Sequence, residues 1–220
     1  VARERNPLSE SPHFDKGDSI NTLENAMPPL NRIRLTDFAA ICDLPRETFR
    51  SMLAQGRVPF RAAEDGDGQR TYGVADLLAM MMLLAITREG RRQDSAARDI
   101  IRSGAVAEFF ERMEAGRSID DLLLYIPETP LGDDFHETHF PFVAPAAALS
   151  PFVVHELGLS EQGFAPFGEK RKPLGLRGLY VLPIAPVFSN LVKTARALGF
   201  AIDGRQIRRI DDAGVVEARK

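Results

Sequence analysis

Cysteine is nearly absent: Cys42 is the single one in 220 residues, so no disulfide can form within the chain. A reducing compartment suits such a chain, and a cytoplasmic location is the expectation. Also missing is any run of about 18 apolar residues, the length a helix needs to cross a bilayer, so no membrane partner is expected. The first residues lack the basic-then-apolar pattern of a secretory signal. Internal repeats are absent. Gly175 and Gly178 lack the preceding strand and following helix that would make them a phosphate loop. No Ser/His/Asp set assembles, so the sequence predicts neither an enzyme nor a cofactor.

What is present is an ordinary globular composition, 44% hydrophobic and 27% charged. The net charge of −3 conceals an asymmetry. Residues 31–92 sum to about +2, residues 93–165 to about −9 and residues 166–209 to about +7. Only local positive charge matters for holding phosphates, so the acidic total does not exclude a nucleic-acid partner.

Residues 1–30 mix Pro, Ser, Asn and charge without apolar periodicity, and read as a disordered leader. A first helix is predicted from Leu35, with Thr36 as its N-cap and Phe38, Ala39 and Ile41 as apolar positions. Asp43-Leu44-Pro45 ends it. A second helix follows from Arg46 to Gln55, with Phe49, Met52 and Leu53 facing inward and Gly56 as its stop. Two short helices around a tight turn make a helix-turn-helix. Next, Gly-rich residues 64–68 and the alternating Gln69-Arg70-Thr71-Tyr72 predict a hairpin. Further helices are predicted over 74–88, 93–103 and 106–114. Beyond Gly116 the pattern becomes mixed. Strands are predicted at 122–126 and 178–184, a helix at 186–198, and a hairpin around Asp203-Gly204, with a last strand at 215–218. The expected fold class is α+β: a leader, an N-terminal unit over 31–115, and a mixed unit over 116–220.

The ordered pieces Leu35-Thr36-x-Phe38-Ala39, Arg46-Glu47-Thr48-Phe49-Arg50, Gly56-x-Val58-Pro59, Gly68-x-Arg70-x-Tyr72 and Asp76-Leu77 resemble the DNA-binding domain of the MerR family. The resemblance covers residues 31–103, about a third of the chain. It implies a winged helix-turn-helix, duplex DNA as partner, and transcription regulation as function. The implied DNA-facing residues are Thr36, Arg46, Glu47, Thr48 and Arg50 on the helices, and Arg70 and Tyr72 on the wing. Of these, Tyr72 is expected to pack the wing onto the domain while keeping its hydroxyl available to phosphate. Two departures stand out. Ser51-Met52 occupy positions where the family usually carries aromatic residues, and the long dimerisation helix is missing. A homodimer would therefore use residues 116–220, and a protein partner or a small-molecule effector are the other roles open to that half. The same small winged domain occurs in excisionases, so a phage or mobile-element architectural protein is the alternative. A reading of another class is a C-terminal enzyme or metal-binding domain targeted by the winged helix.

Other groups point less far. Asp133, Asp134, His136, Glu137 and His139, with His155-Glu156 further on, are metal-ligand types without a recognised spacing, and an acidic solvated loop is the expectation. Gly168 to Pro173 is a basic loop. Phe135, Phe140, Phe142, Phe152, Phe164 and Phe167 are expected to be core rather than the lining of an effector pocket. Cys42 is expected in the core.

Overall fold

The computed structural model describes residues 31–61, 63–64, 68–128, 141–157 and 176–210. These form a mixed α+β arrangement of seven α-helices and eight strands among the described residues. The leader, the Asp133–His139 cluster, the basic loop at 168–173 and the strand predicted at 215–218 lie outside them.

Strand β1 (Ile33–Arg34) runs directly into helix α1 (Leu35–Ile41). The N-cap is therefore Arg34, extended at ψ 162°, and Thr36 is the second helical residue, exposed and not capping. This corrects the expected start. The short strand, paired with Tyr72 and Thr71, fixes where the chain turns, and the best capping side chain comes two residues too late. At the far end Asp43 adopts a positive φ of 53°. Its N–H bonds Ala40 O and that of Leu44 bonds Ala39 O, which satisfies the last carbonyls and turns the chain within three residues. Helix α2 (Arg46–Ala54) follows, with Pro45 as its N-cap. It closes the same way: Gly56, at φ 64°, bonds Leu53 O and Arg57 bonds Met52 O.

Strands β2 (Ala63–Glu64) and β3 (Arg70–Tyr72) pair antiparallel, and β1 lies on the other edge of β3. Helix α3 (Val74–Arg88) then forms the spine of the molecule. Gly73 N–H donates to Asp76 Oδ2 at 2.8 Å across its first turn. Eight of its fifteen residues are buried, from Val74 to Ile86, because neighbours cover it on several sides. It packs against α4 (Gln93–Ser103), α5 (Ala105–Glu114) and α7 (Ile184–Ala197).

The second sheet has the order β5-β4-β6, with β4 (Leu122–Glu128) central and antiparallel to β5 (Phe142–Pro145) and β6 (Gly178–Pro183). Helix α6 (Leu149–Glu156) was not foreseen, since Pro151 sits in an apolar run that also suits a strand. Proline is tolerated there because a first-turn N–H has no intrahelical acceptor. The same reason lets α7 begin at Ile184, ahead of Pro186. A separate hairpin joins β7 (Phe200–Asp203) to β8 (Gln206–Arg209).

The main hydrophobic cluster extends from Ile33 and Phe38 through α3 to Leu124, Leu191 and Ile207. It crosses residue 115 without interruption. Tyr125, Phe142, Ala144 and Phe152 make a smaller cluster, in which the Tyr125 and Phe142 rings stack at 4.8 Å. Phe142 and Phe152 are thus core, as expected of them, whereas the other four phenylalanines of that group lie outside the described residues. Cys42 is buried, and burial pushes its thiol pKa up, away from the reactive thiolate. Among the described residues no helix is long and apolar enough to cross a membrane.

Candidate nucleic-acid interface

Helix α2 divides cleanly into two faces. Phe49 and Met52 are buried, and the Phe49 ring stacks on Phe38 at 4.6 Å. Arg46, Glu47, Thr48, Arg50 and Ser51 are exposed. The burial follows from spacing: positions 49, 52 and 53 lie three and four apart, so one stripe faces the core and the rest faces water. Arg50 Nη1 meets Glu47 Oε1 at 3.0 Å, an exposed pair one turn apart that contributes little to stability. Arg46 has no ion-pair or hydrogen-bond partner among the described residues.

The chain after α2 alternates between water and core. Arg57 is exposed, Val58 and Pro59 are buried, Phe60 is half-buried, and Arg61 is exposed again. A groove of about 640 Å³ is lined by Leu53, Val58, Pro59 and Phe60 together with Arg61 and Arg70. It brings Arg70, on β3, to the side of the molecule where α2 ends. Arg57 and Arg61 were missed by sequence reasoning, which took only Gly56, Val58 and Pro59 from this stretch. The signal was there: two cations bracketing Val-Pro-Phe, whose burial forces the flanking arginines outward.

Tyr72 differs from the expectation. Its side chain is fully buried in a four-ring cluster with Phe38, Phe49 and Phe60, 4.5 Å from the Phe38 centroid. The hydroxyl is buried too and has no hydrogen-bond partner among the described residues, so it does not reach a phosphate. Burial raises the phenol pKa, opposed by the nearby Arg70 charge and reinforced by Asp76. Tyr72 packs β3 onto the helices, the first half of its expected role.

The hairpin is positioned by a residue that the sequence did not flag. Arg32 Nε donates to Thr71 Oγ1 at 2.9 Å and its Nη2 to Thr71 O at 2.8 Å. The same Nη2 lies 3.4 Å from Asp76 Oδ2. One guanidinium thereby ties β3 to the start of α3, using the planar fork that lysine lacks. Burial raises the Asp76 pKa, and the Gly73 N–H and Arg32 pull it back. On the outer side, Arg34 donates to Gln69 Oε1.

Other titratable groups do not converge on this face. His155 and Glu156 are buried on α6, with Nε2 and Oε1 3.8 Å apart. No group of three His, Cys, Asp or Glu side chains among the described residues is arranged to hold a metal ion. Chemically, the exposed side of α2 offers two guanidinium groups, two hydroxyls and one carboxylate, with further guanidinium groups after it and on the hairpin, where Glu64 of β2 stands opposite Arg70. It can grip anions and present hydrogen bonds to base edges. No protein-family model matches this chain, and no curated protein matches it in sequence.

Proposed function

We propose that residues 31–103 act as a winged helix-turn-helix that binds double-stranded DNA, and that the chain is a transcription regulator working in the cytoplasm. The observation that carries this reading is the distribution of arginines. Arg46, Arg57, Arg61 and Arg70 are all exposed around α2 and the hairpin, with no carboxylate paired to any of them among the described residues. In this reading α2 enters the major groove, where Arg46 and Arg50 reach guanine acceptors and Glu47 accepts from cytosine N4. Thr48 and Thr36 bond phosphates, and Arg70 on the wing grips the flanking backbone. Arg57 and Arg61 extend that grip past the end of α2.

Homodimerisation through residues 116–220 would set the spacing of two half-sites. A second reading, an architectural DNA-binding protein of the excisionase kind, draws on α5. This helix has ten residues, about 15 Å of length, and Phe109 and Phe110 are already buried in the core. Little of its apolar face remains for a coiled-coil partner.

The test is to present the purified full chain with a pool of random-sequence duplexes and sequence what is retained. Enrichment of a defined site is expected, relaxing at particular positions in Arg46→Ala and Arg50→Ala. Failure to retain any duplex would overturn the proposal; retention without enrichment would favour the architectural reading.

A further inference from the structure

The C-terminal part carries a second concentration of cations, far along the chain from α2. Between Ile184 and Ile210 stand Lys193, Arg196, Arg205, Arg208 and Arg209 against a single acid, Asp203. Asp211 and Asp212 follow but lie outside the described residues. These cations lie on α7 and on the β7–β8 hairpin that follows it. Lys193 and Arg196 lie three apart on the exposed side of α7, while Leu191 and Ala195 face the core. The chain then turns at Gly199 and returns as the β7–β8 hairpin. Ile210 N–H bonds Gly199 O at 2.7 Å, which brings the end of β8 back to the C-terminus of α7. Arg208 stands opposite Ala201, whose small side chain leaves it unscreened.

Two of the five cations are committed to holding the hairpin. Arg205 Nε lies 2.5 Å from Glu114 Oε1, with its guanidinium 4.7 Å from the Phe110 ring centroid. Arg209 lies 5.7 Å from the Phe200 centroid. The remaining three, Lys193, Arg196 and Arg208, are exposed and have no ion-pair partner among the described residues. Helix α7 and the anchored hairpin therefore present unneutralised cations from a fixed support, which suits phosphate contacts.

We propose that Lys193, Arg196 and Arg208 form a second phosphate-binding surface that holds nucleic-acid backbone outside the α2 footprint. The inference rests on the DNA-binding reading given above. Because α7 packs on α3 within one hydrophobic cluster, the two surfaces are held at a fixed separation. Backbone contacts of this kind add affinity without sequence preference.

The test is salt-dependent duplex binding by the full chain and a Lys193→Gln/Arg196→Gln/Arg208→Gln variant, on a duplex of roughly 30 base pairs. Each lost phosphate contact flattens the slope of log K against log salt by about 0.9, so a change of about 2 to 3 is expected. The enriched site sequence should stay the same. A Lys193→Arg/Arg208→Lys variant, which keeps the charge, should retain the wild-type slope, and thermal melting checks that both variants fold. An unchanged slope in a wild type that does bind duplex overturns this proposal alone. So does a variant whose binding is intact but whose salt-sensitive self-association is lost, since the surface would then serve an acidic protein segment. A wild type that binds no duplex overturns both readings.

Discussion

Arg91 and Arg70 are the same residue type in opposite situations. Arg91 sits in the turn between α3 and α4, with only 16% of its side chain exposed. Nη1 lies 2.6 Å from Glu128 Oε1 on β4, and Nη2 lies 3.5 Å from the buried Asp99 on α4. Its guanidinium also approaches the Tyr180 ring of β6 at 5.9 Å. One cation thus ties the helical region to the central sheet, and its charge is used up locally. Arg70 is exposed, borders an open groove and has no paired carboxylate among the described residues. The lesson is that arginine count says little about function. What separates a fastener from a candidate contact is whether the fold supplies the counter-charge.

The largest effect should come from breaking the fastener. Arg91→Ala leaves Asp99 and Glu128 without this cation and is expected to destabilise the protein by about 2 to 3 kcal/mol, below the range for fully buried pairs because Glu128 is half exposed. Urea denaturation measures it, and the salt slope of duplex binding by the folded variant should not move. A smaller change tests the buried phenol. Tyr72→Phe removes a hydroxyl that has no partner, so stability should stay level or rise by up to about 1 kcal/mol. Duplex affinity should be unaltered; a flatter salt slope would place the hydroxyl on DNA after all.

Glu47 sharpens the other side of the comparison. Glu47→Gln removes the one acid among the exposed residues of α2 and releases Arg50 from its 3.0 Å pair. An exposed pair is worth about 0.2 to 1 kcal/mol, so affinity for non-cognate duplex at low salt should rise by roughly 1.4- to fivefold, read by fluorescence anisotropy. On the cognate site the lost contact to cytosine should lower affinity instead, and a rise there as large as on other duplexes would remove Glu47 from the base-reading residues.

The smallest effect concerns pH. Burial raises the Asp76 pKa, so the folded state keeps this proton over a range where the unfolded chain has lost it. That contribution to stability is present below the ordinary carboxylate value and is lost as pH rises through the raised one. Urea midpoints compared from about pH 4 upward should show this slope in the wild type and lose it in Asp76→Asn.

Much of the N-terminal architecture was legible because its punctuation is local. Asp43, Pro45 and Gly56 mark turns whose geometry depends on a few neighbouring residues, and the helices after Gly73 follow apolar periodicity. Errors arose where a distant partner decides. Thr36 looks like a cap until β3 pairs with Ile33 and Arg34 and moves the helix start forward. Tyr72 looks available until Phe38, Phe49 and Phe60 close around it. The helix expected from residue 186 starts two residues earlier, and α6 went unread, because Pro186 and Pro151 each fall within a first helical turn. Periodicity likewise reveals that α3 is apolar without revealing that α7 covers part of it. For the candidate site, the exposed arginines of α2 could be read from spacing. Arg57 and Arg61 required knowing that Val58 and Pro59 are buried, and Arg32 required its three contacts.

The central claim is that the exposed arginines around α2 and the hairpin hold DNA. The direct measurement is the dependence of duplex affinity on salt for the wild type, Arg50→Ala, Arg70→Ala and the double variant. The account predicts slopes flatter by about 1 for each substitution, additive in the double variant, with stability within about 0.5 kcal/mol of the wild type. Identical slopes in all four proteins would contradict it.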